Sequence, residues 1–153
     1  MKTKTINLDG IALDWAVAKA EGYQIGLVFG RGTCKFLGVH RSRNGGYSES
    51  MPFALASTRK QTREADYPGV FLSGTRYWQP STDWAQGGPI IERIHGLLLK
   101  QWLECKPELR CQVQINNHEG DWVAFGPTPL IAAMRCYVAS KLGDEVDVPE
   151  ELL

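Results

Sequence analysis

The chain has 153 residues, 43% of them apolar and 22% charged, and its 17 basic and 17 acidic side chains cancel. That length holds one ordinary domain with a core of its own, and a neutral chain of pI 6.8 lacks the basic excess of a dedicated duplex nucleic-acid binder. No run of 18 apolar residues spans a membrane, the N-terminal segment with Asp9, Asp14 and Glu21 does not read as a secretory signal, and four cysteines without a C-x-x-C pair suit a reducing bacterial cytoplasm.

Asp9 is placed to cap a first helix and Gly22 to stop it, with Leu13, Ala16, Val17 and Ala20 forming one apolar stripe between them. Trp15 on that helix reads as core. Tyr23 to Phe29 is a β-prone apolar run, and Cys34 to Val39 is its expected partner across a Gly30-Arg31-Gly32 turn. From about Arg41 to Tyr67 no apolar period survives, and Asn44-Gly45-Gly46 signals a turn, so residues 41–67 read as a basic, loop-rich insertion. Val70 to Leu72 is a short strand candidate. Gly87-Gly88-Pro89 reads as unable to lie inside a helix, so the polar segment 79–93 is expected to be a shaped loop or turn.

Leu97 to Leu103 and Leu109 to Ile115 read as strands, the second alternating Leu109, Cys111, Val113 and Ile115 with polar residues; Gly120 to Phe125 is a weaker candidate. A final helix is bounded by Thr128 as N-cap, Pro129 as first residue and Gly143 beyond its end, with Ile131, Met134, Val138 and Leu142 on one face. An acidic tail, 143–153, follows. The expected fold is α+β: an antiparallel sheet of about four to five strands with the N-terminal and C-terminal helices packed on it, in a single domain covering 1–153.

Neutrality conceals a separation of charge. Residues 31–76 carry eight basic side chains (Arg31, Lys35, Arg41, Arg43, Arg59, Lys60, Arg63, Arg76) against three acidic ones (Glu49, Glu64, Asp66), whereas 143–153 carry five acids and no base. Arginine forks pair with phosphate oxygens and aromatic faces stack on bases, so the basic segment running into Arg76-Tyr77-Trp78 suits an anionic, flat-faced ligand; a solvated loop meeting the acidic tail is the plain alternative. His40, His95 and His118 are far apart and no metal or phosphate-loop spacing is present; Cys111 and Cys136 sit on apolar-patterned elements where thiols are inert. No catalytic set, metal site or cofactor is expected.

The segment 81–93 concentrates ligand-reading groups: Ser81, Thr82, Asp83, Trp84, Gln86 and Arg93. In this reading Trp84 or Trp78 stacks on a base, Asp83 and Gln86 read polar edges, and Arg76 and Arg93 hold phosphates. Asp83 has a plainer role as a turn cap, Trp84 as a core anchor and Glu92 with Arg93 as a surface pair. Arg135, on the polar side of the last helix, could reach a pocket but reads better as a solvated arginine.

Three blocks, Ala12 to Gly22, Pro80 to Arg93 and Gly126 to Pro149, resemble in sequence and order the NinX-like family of small proteins of tailed phages and prophages. The resemblance implies a phage accessory protein of the bacterial cytoplasm and supplies no reaction. Several phage proteins of similar size sequester nucleotide signals of bacterial immunity, an analogy that rests on genomic setting and pocket chemistry. The expectation is therefore a non-enzymatic binder, a homo-oligomer, that captures a small anionic nucleotide such as a cyclic ADP-ribose-type molecule or a cyclic dinucleotide. The alternatives are a protein-binding inhibitor or adaptor for a host immune protein, and a nucleotide hydrolase with Asp83 or Glu92 as base and His95 nearby.

Overall fold

A computed structural model describes residues 1–29, 35–41, 69–72, 76–102 and 104–153; the expected basic insertion therefore lies almost wholly outside the described residues. The class is α+β, as the sequence predicts. The strands are divided among separate sheets rather than gathered in one, and a third helix joins the two expected.

Strand β1 (Lys2–Lys4) and β9 (Glu145–Asp147) pair antiparallel, with Lys2 opposite Asp147 and Lys4 opposite Glu145. Cross-strand pairs of opposite charge are mildly stabilising. The acidic segment is thus stitched to the start of the chain instead of hanging free, and it buries Val146, Val148 and Leu152. Between lies helix α1 (Gly10–Ala20), in which Ala12 to Ala18 are all buried. Asp9 holds the N-cap position, but its side chain makes no capping hydrogen bond, contrary to expectation. Gly22 ends the turn with φ +77°, a conformation glycine adopts without cost. Trp15 belongs to the core, its ring 5.0 Å beneath the Lys19 ammonium.

Strands β2 (Tyr23–Phe29) and β3 (Lys35–Arg41) form the expected antiparallel pair. Next, β4 (Gly69–Leu72) joins β3 in parallel, and β5 (Arg76–Trp78) closes this mixed sheet against β4. The third sheet is antiparallel, from β6 (Leu97–Gln101), β7 (Cys111–Asn117) and β8 (Gly120–Gly126). Strand β7 starts later than its alternation suggests: Leu109 falls in a 3-10 turn over Pro107–Leu109 and is exposed, while Cys111, Val113 and Ile115 point inward.

Two further helices complete the described chain, α2 (Trp84–Glu92) and α3 (Pro129–Leu142). Helix α3 has the predicted ends, with Thr128 Oγ1 accepting from the Ile131 N–H and Gly143 at φ +91°. It is no amphipathic surface helix: Leu130, Ala132, Ala133, Met134, Cys136 and Val138 are all buried between the β7–β8 sheet and α1. The small side chains let those layers close up. Burial also pushes the Cys136 thiol up to about 11, which keeps it unreactive as expected.

Helix α2 corrects the loop expected around Gly87-Gly88-Pro89. Local propensity opposes it, since each glycine costs about 1 kcal/mol and an internal proline about 3. Its start is fixed by Asp83, whose Oδ1 accepts from the Ala85 N–H and whose Oδ2 accepts from Gln86 Nε2. Ala85, whose carbonyl loses the proline's hydrogen bond, is exposed and open to water. Ile90 is buried in the core, and Gly87 is pressed against Pro80 and Leu130. A Cβ at Gly87 would overlap the Pro80 carbonyl oxygen and stand 2.6 Å from Leu130 Cδ2. Gly87→Ala is therefore expected to destabilise the protein by about 2 kcal/mol despite improving helix propensity. Gly88→Ala, whose Cβ would meet only the Trp84 ring at 3.9 Å, should be neutral or stabilising in the same urea titration.

Candidate functional site

Arg76, Tyr77 and Trp78 form β5, which is described by its backbone path alone. The remaining residues expected to bind ligand are spread along α2 and the turn before it. Ser81 is buried, and its N–H donates to the Asp14 Oδ1 at 2.9 Å. That bond fastens the turn to α1. Thr82 is exposed, and Asp83 and Gln86 are engaged with each other and with the helix start; Gln86 Oε1 also accepts from the Gln79 N–H. Asp83 thus takes the capping role. Trp84 is 58% exposed, so it is not a core anchor.

Arg93 stands nine residues after Trp84, about 14 Å further along the helix axis and half a rotation around it. One ligand of modest size cannot touch both the indole and this guanidinium through α2 alone. The structure brings Arg93 instead to groups from distant parts of the chain. Its Nη2 donates to Glu21 Oε2 at 2.9 Å, and its Nε donates to the Pro89 carbonyl at 3.0 Å. A cation over the last carbonyls of a helix is favourably placed. The other Glu21 oxygen accepts from the Tyr137 hydroxyl at 2.6 Å. Glu21 is therefore the hub, with its side chain 8% exposed, and Arg93 pairs with it rather than with neighbouring Glu92.

Glu21, Arg93 and Tyr137 come one each from the three sequence blocks, and Arg93 and Tyr137 stand at the wall of a cavity of about 250 Å³. Ile90, Ile94 and Ile115 give it an apolar lining; His95, Asn117, His118, Glu119, Ser140 and Lys141 supply polar groups. Lys141 lies 3.7 Å from Glu119, both about half exposed. Such a surface pair contributes 1 kcal/mol or less, so Lys141 can turn to another anion at small cost. Glu21, by contrast, is held by two short bonds and is nearly enclosed, so the Arg93 link is part of the frame. Chemically the cavity offers the Lys141 ammonium, two imidazoles and the Glu119 carboxylate over an apolar floor, while Arg93 and the hydroxyls of Tyr137 and Ser140 are engaged within the fold.

Of the expected site residues whose side chains are described, then, only Arg93 reaches this cavity, together with His95 from the hydrolase alternative. Glu21, His118, Tyr137, Ser140 and Lys141 escaped the sequence reading. Each is an ordinary polar residue that no spacing marks; their only sequence signal is that Glu21, Tyr137, Ser140 and Lys141 lie within the blocks that carry the resemblance. Among the described residues no three metal-binding side chains cluster, and no helix is long and apolar enough to cross a membrane.

The model of one protein family, described as Bacteriophage P22, NinX, matches residues 4–141. No curated protein matches the sequence.

Proposed function

The chain belongs to the Bacteriophage P22 NinX family, and is thus a phage protein; from that premise we propose that it captures a small phosphorylated ligand of nucleotide type, of the class that bacterial immune systems use as signals, and holds it without turnover. The observation that supports this reading is the cavity itself, where Arg93, His95, His118 and Lys141 line an apolar hollow braced by Glu21 and Tyr137. At about 250 Å³ it is below the usual range for enclosing a whole small-molecule ligand. It suits a phosphate with its sugar, leaving the base outside or against a second copy of the chain, which is the role a homo-oligomer would play.

Isothermal titration against cyclic ADP-ribose isomers, cyclic dinucleotides and mononucleotides tests the reading. At least one is expected to bind, with Lys141→Ala weakening it about tenfold through loss of a charge-assisted contact. Heat from none of them defeats the nucleotide assignment, and chromatographic recovery of altered ligand would replace capture with hydrolysis.

A second reading, an inhibitor or adaptor for a host immune protein, is supported by a different observation: Leu98 and Val123 are 48% and 46% exposed on one face of the third sheet, both opposite Gln114 of β7. Apolar residues grouped on a surface mark partner sites. A host protein retained at one-to-one stoichiometry by the wild type and lost with Leu98→Glu would favour it.

A further inference from the structure

On the face of α3 opposite the cavity, Arg135 runs between the N-terminal segment and β8. Its Nε donates to the Leu8 carbonyl at 2.7 Å and its Nη1 to the Phe125 carbonyl at 2.8 Å. This arginine is no solvated side chain, contrary to the sequence reading. Both acceptors are neutral, and among the described residues no carboxylate lies within ion-pair distance of the guanidinium. Asp9 supports the charge only through space, against the burial that disfavours it.

Arg135 is half-buried, and its charge rests on neutral carbonyls alone. Here the guanidinium is locked in orientation by two backbone anchors and lines a cleft of about 550 Å³, a volume typical of small-molecule sites. Lys4 lines the same cleft, and Ile6 and Val123, nearly half exposed, form apolar walls. Asp144 and Glu145 also line it. Glu145 faces Lys4 in the β1–β9 register, so these two offset each other, while Asp144 adds a negative charge that penalises a dianion more than a monoanion. We infer that this cleft binds a small monocarboxylate with an apolar body, the carboxylate on Nη2 and the remaining Nη1–H of Arg135 and the body against Ile6 and Val123. A planar fork matches a carboxylate edge, and one fixed beforehand loses little freedom on binding.

The site is independent of the proposed nucleotide cavity, and its test separates the two. Benzoate, butyrate and inorganic phosphate are titrated into isotope-labelled protein while the Arg135 Nε–H resonance is followed. Benzoate is expected to shift that signal saturably and to bind at least about tenfold more tightly than phosphate. Asp144→Asn should tighten benzoate about fivefold by removing a like charge, and Arg93→Ala should leave it unchanged. Arg135→Gln should abolish the binding; should that variant fail to fold, the Asp144→Asn result decides. No saturable shift with either carboxylate, phosphate binding as tightly as benzoate, or no effect of Asp144→Asn overturns the assignment.

Discussion

Gly96→Ala is expected to lower the thermal midpoint by about 10 °C, equivalent to a loss of about 2–5 kcal/mol for a chain of this length. Gly96 has φ +75° and leads into β6, and its carbonyl accepts from the Asn116 N–H at 3.0 Å. A Cβ there would overlap the Asn116 carbonyl oxygen and come within 2.8 Å of its carbon. The obstacle is backbone in the sheet, which cannot swing aside as a flexible side chain does. Two costs therefore add: about 1–2 kcal/mol for a side chain in the left-handed region, and the displacement of β6 from β7. Gly22 separates them, because it has φ +77° with no atom within 4 Å of a Cβ. Gly22→Ala should cost only the backbone part. Equal losses in the two variants would show that the close approach at Gly96 is unimportant. Gly96 also adjoins His95 and faces Asn116, the neighbour of Asn117, so the same variant should weaken the proposed ligand binding by deforming that wall of the cavity.

The second large effect concerns Asp14 and runs opposite to the usual behaviour of a carboxylate. Burial raises its pKa from 3.8 to about 6, and hydrogen bonding from Ser81 only partly offsets this. Between those values the folded protein holds a proton that the unfolded chain has released. Stability therefore falls as pH rises from about 4 to 6, and the full penalty, about 3 kcal/mol, persists above pH 6. Asp14→Asn keeps an oxygen to accept the Ser81 N–H but has no charge to bury. Urea unfolding of both proteins between pH 4 and 8 is expected to show the asparagine variant gaining relative stability through that window and holding the gain to neutral pH. A difference that does not change with pH would contradict a buried, proton-binding Asp14. Asp14→Leu should be the least stable of the three, since it leaves the buried Ser81 N–H without an acceptor.

Much of the framework was legible because it is written in neighbouring residues. Thr128-Pro129 and Gly143 set both ends of α3, and Tyr23 to Phe29 set β2 residue for residue. Alternation gave the inward face of β7 from Cys111 onward but misjudged Leu109, because Pro107 and Glu108 turn the chain before the sheet begins. The segment read as ligand-binding, 81–93, is for the most part helix α2 and the turn that starts it. Ser81, Asp83 and Gln86 have the chemistry to read a ligand, yet the same oxygens and N–H groups start α2 and bind it to α1. Local satisfaction of backbone groups at a helix start competes with any ligand for those atoms.

By itself the sequence determined the α+β class, the ends of the first and last helices, the strand hairpin and the family. These follow from propensities and periodicities that act over a few residues. Only the tertiary structure decided that a Gly-Gly-Pro segment is helical, that Arg93 and Tyr137 meet on Glu21, and that Arg135 is anchored between Leu8 and Phe125. Those outcomes depend on burial and on the contacts of Glu21 and Leu8, which span 72 to 127 positions of sequence; packing of Ile90 and Gly87 outweighs helix propensity, and a charge's partner is set by what the fold brings beside it.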